Sequence, residues 1–226
     1  MTELAQILLA YPRFEPIIRN VKPFRKLDFT ENNSDLIRHD LSETCDFSNY
    51  VFGRMLSGNT YIGIGGYNEN RVIYRQRKHF ELDSENPRSI HLGTDIWEEA
   101  GEAIYSPIAG SVHSFAFNNH YGDYGPTIIL RHELKGIAFF TLYGHLSATS
   151  LDALHIGKKI EAGEKFALIG PFPENGDWPP HLHFQVISDM GTYSGDFPGV
   201  SSVRNSEYYL SICPDPNLIL RVSENQ

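Results

Sequence analysis

Cysteine is scarce in this chain, with two residues, Cys45 and Cys213, among 226. Two are too few for a disulfide framework or a cysteine-rich zinc site, so they read as buried thiols or one incidental pair. Basic residues are in deficit as well: 19 Lys and Arg stand against 28 Asp and Glu, a net charge of -9. Binding a phosphate backbone needs clustered Lys and Arg, so no nucleic-acid partner is expected. No apolar run approaches the ~20 residues of a membrane span, and no membrane partner is expected either. Glu3 sits where a secretory signal would carry basic charge, and no small-residue cleavage site follows. The opening stretch "MTELAQILLAYPRFEP" predicts a short amphipathic helix instead, and the expected location, for want of a signal peptide, is the cytoplasm. Internal repeats and low-complexity tracts are absent too, which excludes a solenoid or a linker-rich chain.

What is present is β-patterning. The length suits one substantial domain, or a domain with an appendage. Residues 1–57 mix helical hints with polar loop, and "TENNSDLIRHDLSE" has cap residues but only a thin apolar stripe. From "TYIGIGGYNENRVIYRQ" the period changes to 2, and two apolar runs about Gly65 and Gly66 predict a β-hairpin. Strand signals then recur about every ten residues to "HLHFQVI", with one helical turn expected near "LSATSLDAL". That spacing predicts a mainly β, antiparallel sandwich or open barrel.

Ten histidines are present. His39, His79, His120 and His155 stand in polar contexts where a solvated imidazole is the default. His113 and His132 fall in strand-like runs and read as structural. Four remain. "HLGTD" pairs His91 with Asp95, "YGHLS" ends an aromatic run on His145, and "WPPHLHFQV" carries His181 and His183. In a strand, i and i+2 share a face, so His181 and His183 would stand side by side. Imidazole and carboxylate are the usual ligands of a catalytic zinc, which keeps three protein ligands and one open position. The chain offers two histidines and an aspartate for that role, and two more histidines for proton traffic.

"HLGTDIW", "LYGHLS" and "PPHLHFQV" resemble, in order, the three signature blocks of the M23 (lysostaphin and LytM-like) metallopeptidases. "GEAIYSPIAGSVHSF" and "IGKKIEAGEKFALIG" are similar to two further segments of that family, and the resemblance runs over about residues 61 to 190. "GDYGPTIIL", "WPPHLHFQVI" and "CPDPNLIL" resemble more narrowly the M23 module of multidomain phosphotransferase–peptidase–aminotransferase proteins. The resemblance implies the M23 peptidase fold over residues 58–226, with residues 1–57 as a small mixed N-terminal segment of unread role. It implies His91, Asp95 and His183 as ligands of Zn2+, and His145 and His181 as catalytic histidines. The implied activity is hydrolysis of a peptide amide bond by a zinc-activated water assisted by the two histidines. The implied partner is a peptide or muropeptide substrate, derived from peptidoglycan or containing glycine. No H-E-x-x-H occurs, so histidine replaces the glutamate base of the common zincins.

One departure concerns the approach to His181, where "PFPENGDWPP" replaces the family's glycine-rich segment. Proline restricts φ, so this loop is expected to be stiff and to wall the groove, with Trp178, Asp177 and Glu174 favouring a compact or cationic substrate group. The alternative for Trp178 is simple packing of the loop onto the sheet. The alternative for the whole chain is an M23-fold scaffold or binding module that keeps zinc without turnover. A cupin-type iron site begins with a similar H-x-H but needs a nearby Glu and a later His. Here Asp189 is the first acidic residue after His183, and no histidine follows it.

Overall fold

A computed structural model describes residues 1–76 and 86–222 of the chain. Its centre is an eight-stranded sheet, and four further strands form two small two-stranded sheets. In chain order the strands are β1 (Phe24–Leu27), β2 (Ile62–Gly65), β3 (Arg88–His91), β4 (Thr94–Trp97), β5 (Ala103–Tyr105) and β6 (Gly110–Asn118). They continue with β7 (Gly125–Leu134), β8 (Ile137–Gly144), β9 (Lys159–Ile160), β10 (Lys165–Leu168), β11 (Leu182–Ile187) and β12 (Val200–Ser202). The large sheet runs β1-β2-β4-β11-β8-β7-β6-β9. All its pairings are antiparallel except the edge pair β1–β2. The mainly β architecture is the one the strand spacing predicts. A parallel pair needs a long crossover, and residues 28–61 supply it with α2 (Thr44–Ser48) and a π-helical stretch, Asn49–Met55. The β7–β8 hairpin closes on Lys135 and Gly136, both at positive φ, the two-residue turn that matches strand twist.

The alternation of the sequence is read out on both faces of the sheet. Along β11, Leu182, Phe184 and Val186 enter one core with Ile96, Ile128 and Leu130. Helix α1 (Glu3–Ala10) closes that core with Leu4 and Leu8, one turn apart. Thr2 caps the helix by accepting from the Ala5 amide at 3.3 Å, and the Arg221 guanidinium donates to the carbonyls of Leu8, Tyr11 and Pro12 at its far end. Each fully buried side chain such as Phe184 contributes about 1.5–3 kcal/mol. The opposite face carries His183, Gln185 and Ile187, all buried. A second core there packs Leu92, Tyr124, Leu142 and Phe197. A third joins Phe29, Phe47 and Val51 from the first 57 residues to Trp97 and Trp178.

The hairpin expected about Gly65 does not form. Its first arm is β2, but Val72–Gln76 is a 3-10 helix. Both edges of β2 are already occupied, by β1 and β4, so no ladder is open to a returning arm. The helical turn expected near "LSATSLDAL" is a 3-10 turn, Ala148–Leu151. Among the described residues no helix is long and apolar enough to cross a membrane.

Candidate metal centre

Strands β4 and β11 lie side by side with Asp95 directly opposite His183. His91 arrives from the end of β3, outside the large sheet, and Leu92 and Gly93 carry the chain across to β4. A Cβ at Gly93 would lie 2.6 Å from the His183 ring, so only glycine lets the ring settle there. Three donor atoms converge. His183 Nδ1 stands 3.0 Å from Asp95 Oδ1 and 3.0 Å from His91 Nε2, and His91 Nε2 stands 3.2 Å from Asp95 Oδ1. Tetrahedral zinc with ligand bonds of about 2.0–2.1 Å separates its ligand atoms by about 3.3 Å. The triangle therefore fits one face of such a tetrahedron, and two imidazoles with a carboxylate are a zinc-type donor set.

The atoms facing away from the triangle are also held. His91 Nδ1 donates to the Gly66 carbonyl at 2.9 Å, which leaves its Nε2 with a lone pair. His183 Nε2 stands 2.9 Å from Gln185 Oε1 and 3.4 Å from the Tyr124 hydroxyl. Asp95 Oδ2 accepts from Arg71 at 2.5 Å, and Arg71, itself fully buried, also donates to Glu69 at 2.8 Å. Burial alone would raise the Asp95 carboxyl. The close approach of His91, then the charge of Arg71 and the nearness of His183, hold it well below the usual carboxylate range. Burial, then Arg71, lowers His91 to about 4, so its ring is neutral at pH 7, as a metal ligand must be.

The second pair of histidines is built differently. His145 follows β8 at φ 61°, and His181 immediately precedes β11. Their ring centroids are 4.2 Å apart. His145 Nδ1 donates to the Asn175 carbonyl at 2.8 Å, and His181 Nδ1 to the Pro179 carbonyl at 2.7 Å. Each Nε2 therefore carries the lone pair. His181 also stacks on Trp97, with centroids 4.2 Å apart and planes 17° apart. Burial, followed by the neighbouring His181 and His183 rings, lowers His145 well below its ordinary value. Burial likewise lowers His181 to about 4. The two histidines line the same pocket as the triangle, together with Arg71, Tyr124 and Trp178.

All five residues singled out in the sequence thus surround one pocket, each no more than 6% exposed. Trp178 lines that pocket and also packs edge-on against Phe47 and Tyr74, its Nε1 donating to the Asp123 carbonyl at 3.2 Å. His132 is buried elsewhere, between the Ala109 carbonyl and the Thr141 hydroxyl. His113 is half-buried, His120 and His155 are exposed, and the His39 ring lies tilted against Tyr50. His79 lies outside the described residues. Reading the sequence missed Arg71, Tyr124 and Gln185. The glycines were the available signal: a Cβ at Gly65 would fall 2.6 Å from Arg71, and one at Gly144 would fall 2.5 Å from the Tyr124 ring.

Comparison with known proteins puts this geometry in context. No curated protein sequence matches the chain. Among solved structures, a zinc-containing peptidase from Vibrio cholerae is 29% identical over 43% of this chain and 27% of its own, with a TM-score of 0.31. An M23 peptidase structure from Pseudomonas aeruginosa, described as putative in its own name, is 21% identical over 62% and 48%, with a TM-score of 0.39. The catalytic domain of the antimicrobial peptidase lysostaphin from Staphylococcus simulans is 22% identical over 54% and 80%, with a TM-score of 0.37. The chain thus spans about a quarter and about half of the first two proteins. The sequence profile of peptidase family M23 matches residues 89–194, the stretch that carries the triangle and both further histidines. Over that stretch, just under half of the chain, the protein is similar to peptidase family M23.

Proposed function

We propose that the chain is a zinc metallopeptidase that hydrolyses an amide bond in a peptide, with peptidoglycan-derived or glycine-containing peptides as the substrate class. The observation that carries this reading is the triangle of His91 Nε2, Asp95 Oδ1 and His183 Nδ1, with edges of 3.0–3.2 Å. The likeness of residues 89–194 to peptidase family M23 supports the reaction class. Zinc held there would polarise a carbonyl and make water acidic enough to react near neutral pH.

The remaining work falls to the chain's own residues. Asp95 keeps one oxygen for the metal because Arg71 occupies the other. His145 and His181 have their Nδ1 protons committed to backbone carbonyls, so each offers a basic Nε2. One accepts the proton released as the nucleophile attacks, and an imidazole returns a proton to the departing amine. Tyr124 and Trp178, both buried, exclude bulk water from the two rings.

The test is mass spectrometry of zinc-loaded protein incubated with muropeptides and with a general peptide library. Cleavage that a zinc chelator stops and added zinc restores is expected. Stoichiometric zinc with no product from either pool would favour a zinc-bound scaffold instead.

A further inference from the structure

We propose that Gln185 is a positioning residue for the metal centre: its side-chain oxygen holds the proton of His183 on Nε2 and so keeps Nδ1 free as a ligand atom. This rests on the zinc reading above. His183 is placed by its strand, but placement does not decide which ring nitrogen carries the proton. Two groups stand 3.0 Å from Nδ1, His91 Nε2 and the carboxylate oxygen Asp95 Oδ1. Left alone, the ring would be drawn to put its proton on Nδ1 and donate to that carboxylate, a charge-assisted hydrogen bond. That tautomer closes the triangle against a cation.

Gln185 works against it. The residue is two positions along β11, on the same face as His183, and is fully buried. A glutamine amide can present either end, so its own neighbours must settle the orientation. Gln185 Nε2 lies 3.2 Å from the Pro198 carbonyl and 3.3 Å from the Cys213 sulfur. A carbonyl can only accept, which puts the amide nitrogen at that end. Cys213 is fully buried, and burial pushes its thiol up to about 12, so it stays neutral. The amide oxygen is then the end 2.9 Å from His183 Nε2, and the imidazole donates to it. The chain of constraint runs from the segment after Phe197, through Gln185, to the ligand atom of His183. It also assigns buried Cys213 a place that its scarcity in the sequence did not suggest.

The experiment uses the full chain as zinc-free and zinc-loaded protein, at pH 7.5. Nitrogen-15 NMR reads the His183 tautomer in the zinc-free form, and chelator competition reads the zinc dissociation constant. Wild type is expected to be protonated on Nε2. Q185M, similar in length but without an acceptor, is expected to shift the proton toward Nδ1 and weaken zinc about 10–100-fold. Q185E restores an oxygen acceptor and is expected to keep the Nε2 proton and bind zinc several-fold or more tightly than Q185M. A wild-type His183 protonated on Nδ1 overturns the proposal without any variant. So does a Q185M that matches wild type in zinc affinity, or equal losses in Q185M and Q185E with the tautomer unchanged. Failure of wild type to take up zinc would instead remove the zinc reading on which the proposal rests.

Discussion

The triangle of His91, Asp95 and His183 and the pair of His145 and His181 use the same side chain to opposite ends. In the triangle, ring nitrogens point at one another and at a carboxylate, 3.0–3.2 Å apart, an arrangement that repels itself unless a cation or shared protons sit between. In the pair, the rings are tilted 36° to one another with Trp97 stacked behind His181, and each is tied by one nitrogen to a backbone carbonyl. The supports differ accordingly. The triangle is braced by β11, through Gln185, and by the segment that follows β2, through Gly66 and Arg71. The pair is braced by the loop before β11, through Asn175 and Pro179. Convergent donor atoms suit a cation; two tilted rings, each tied at one nitrogen, suit proton transfer.

The sharpest way to break this contrast is to remove one corner of the triangle. His91→Ala and Asp95→Ala should each lower zinc from about one ion per chain to near none, by metal analysis after dialysis, and abolish peptide cleavage. Full occupancy in both variants would show that the triangle is not the metal site. The pair should behave differently. His145→Ala and His181→Ala should retain zinc and cleave ~10²–10⁴-fold more slowly. If His181→Ala loses zinc while His183→Ala keeps it, the two roles are reversed.

The loop behind the pair gives a third effect. Trp178 is buried against Phe47 and Tyr74, so Trp178→Ala should cost about 3–5 kcal/mol of stability, read by denaturant unfolding. A change in KM with no change in the unfolding midpoint would instead make the tryptophan purely a groove wall. The smallest effect comes from a histidine that belongs to neither set. His132 is buried between a carbonyl and a hydroxyl, and burial lowers it to about 4. Its folded value lies below its ordinary one of 6.5. The stability it contributes is therefore complete above pH 6.5 and is lost as pH falls toward 4. At about 1.4 kcal/mol per unit, that is on the order of 3 kcal/mol. His132→Asn should flatten the acid limb of the stability curve by that amount, and an unchanged limb would mean that His132 titrates alike in the folded and unfolded chain.

Much of the β framework was legible because strand periodicity and turn residues are local. "HLHFQVI" alternates between two faces, and β11 uses both as the pattern implies. The hairpin at Gly65 failed because the competition for β2 comes from β1 and β4, contacts that no local pattern encodes. The same reason hides Arg71: it lies 24 residues from Asp95, in a run that reads as half of a hairpin. Gln185 was visible as a polar residue in an apolar strand, at the same spacing from His183 as His181, yet its partners come from Pro198 and Cys213. Trp178 was read as either groove wall or packing, and it both lines the pocket and packs the loop.

The Gly66 carbonyl has a practical consequence for anyone recloning this protein. The stretch that carries the family motifs, 89–194, looks like a natural fragment to express, but it omits that carbonyl, Arg71 and both acceptors that orient Gln185. Such a fragment would contain every motif residue and none of these four braces. It would also leave Trp97 without Phe29 and Phe47. Trimming to the motif would yield a poor reagent, and vectors should carry the chain from α1 through Arg221.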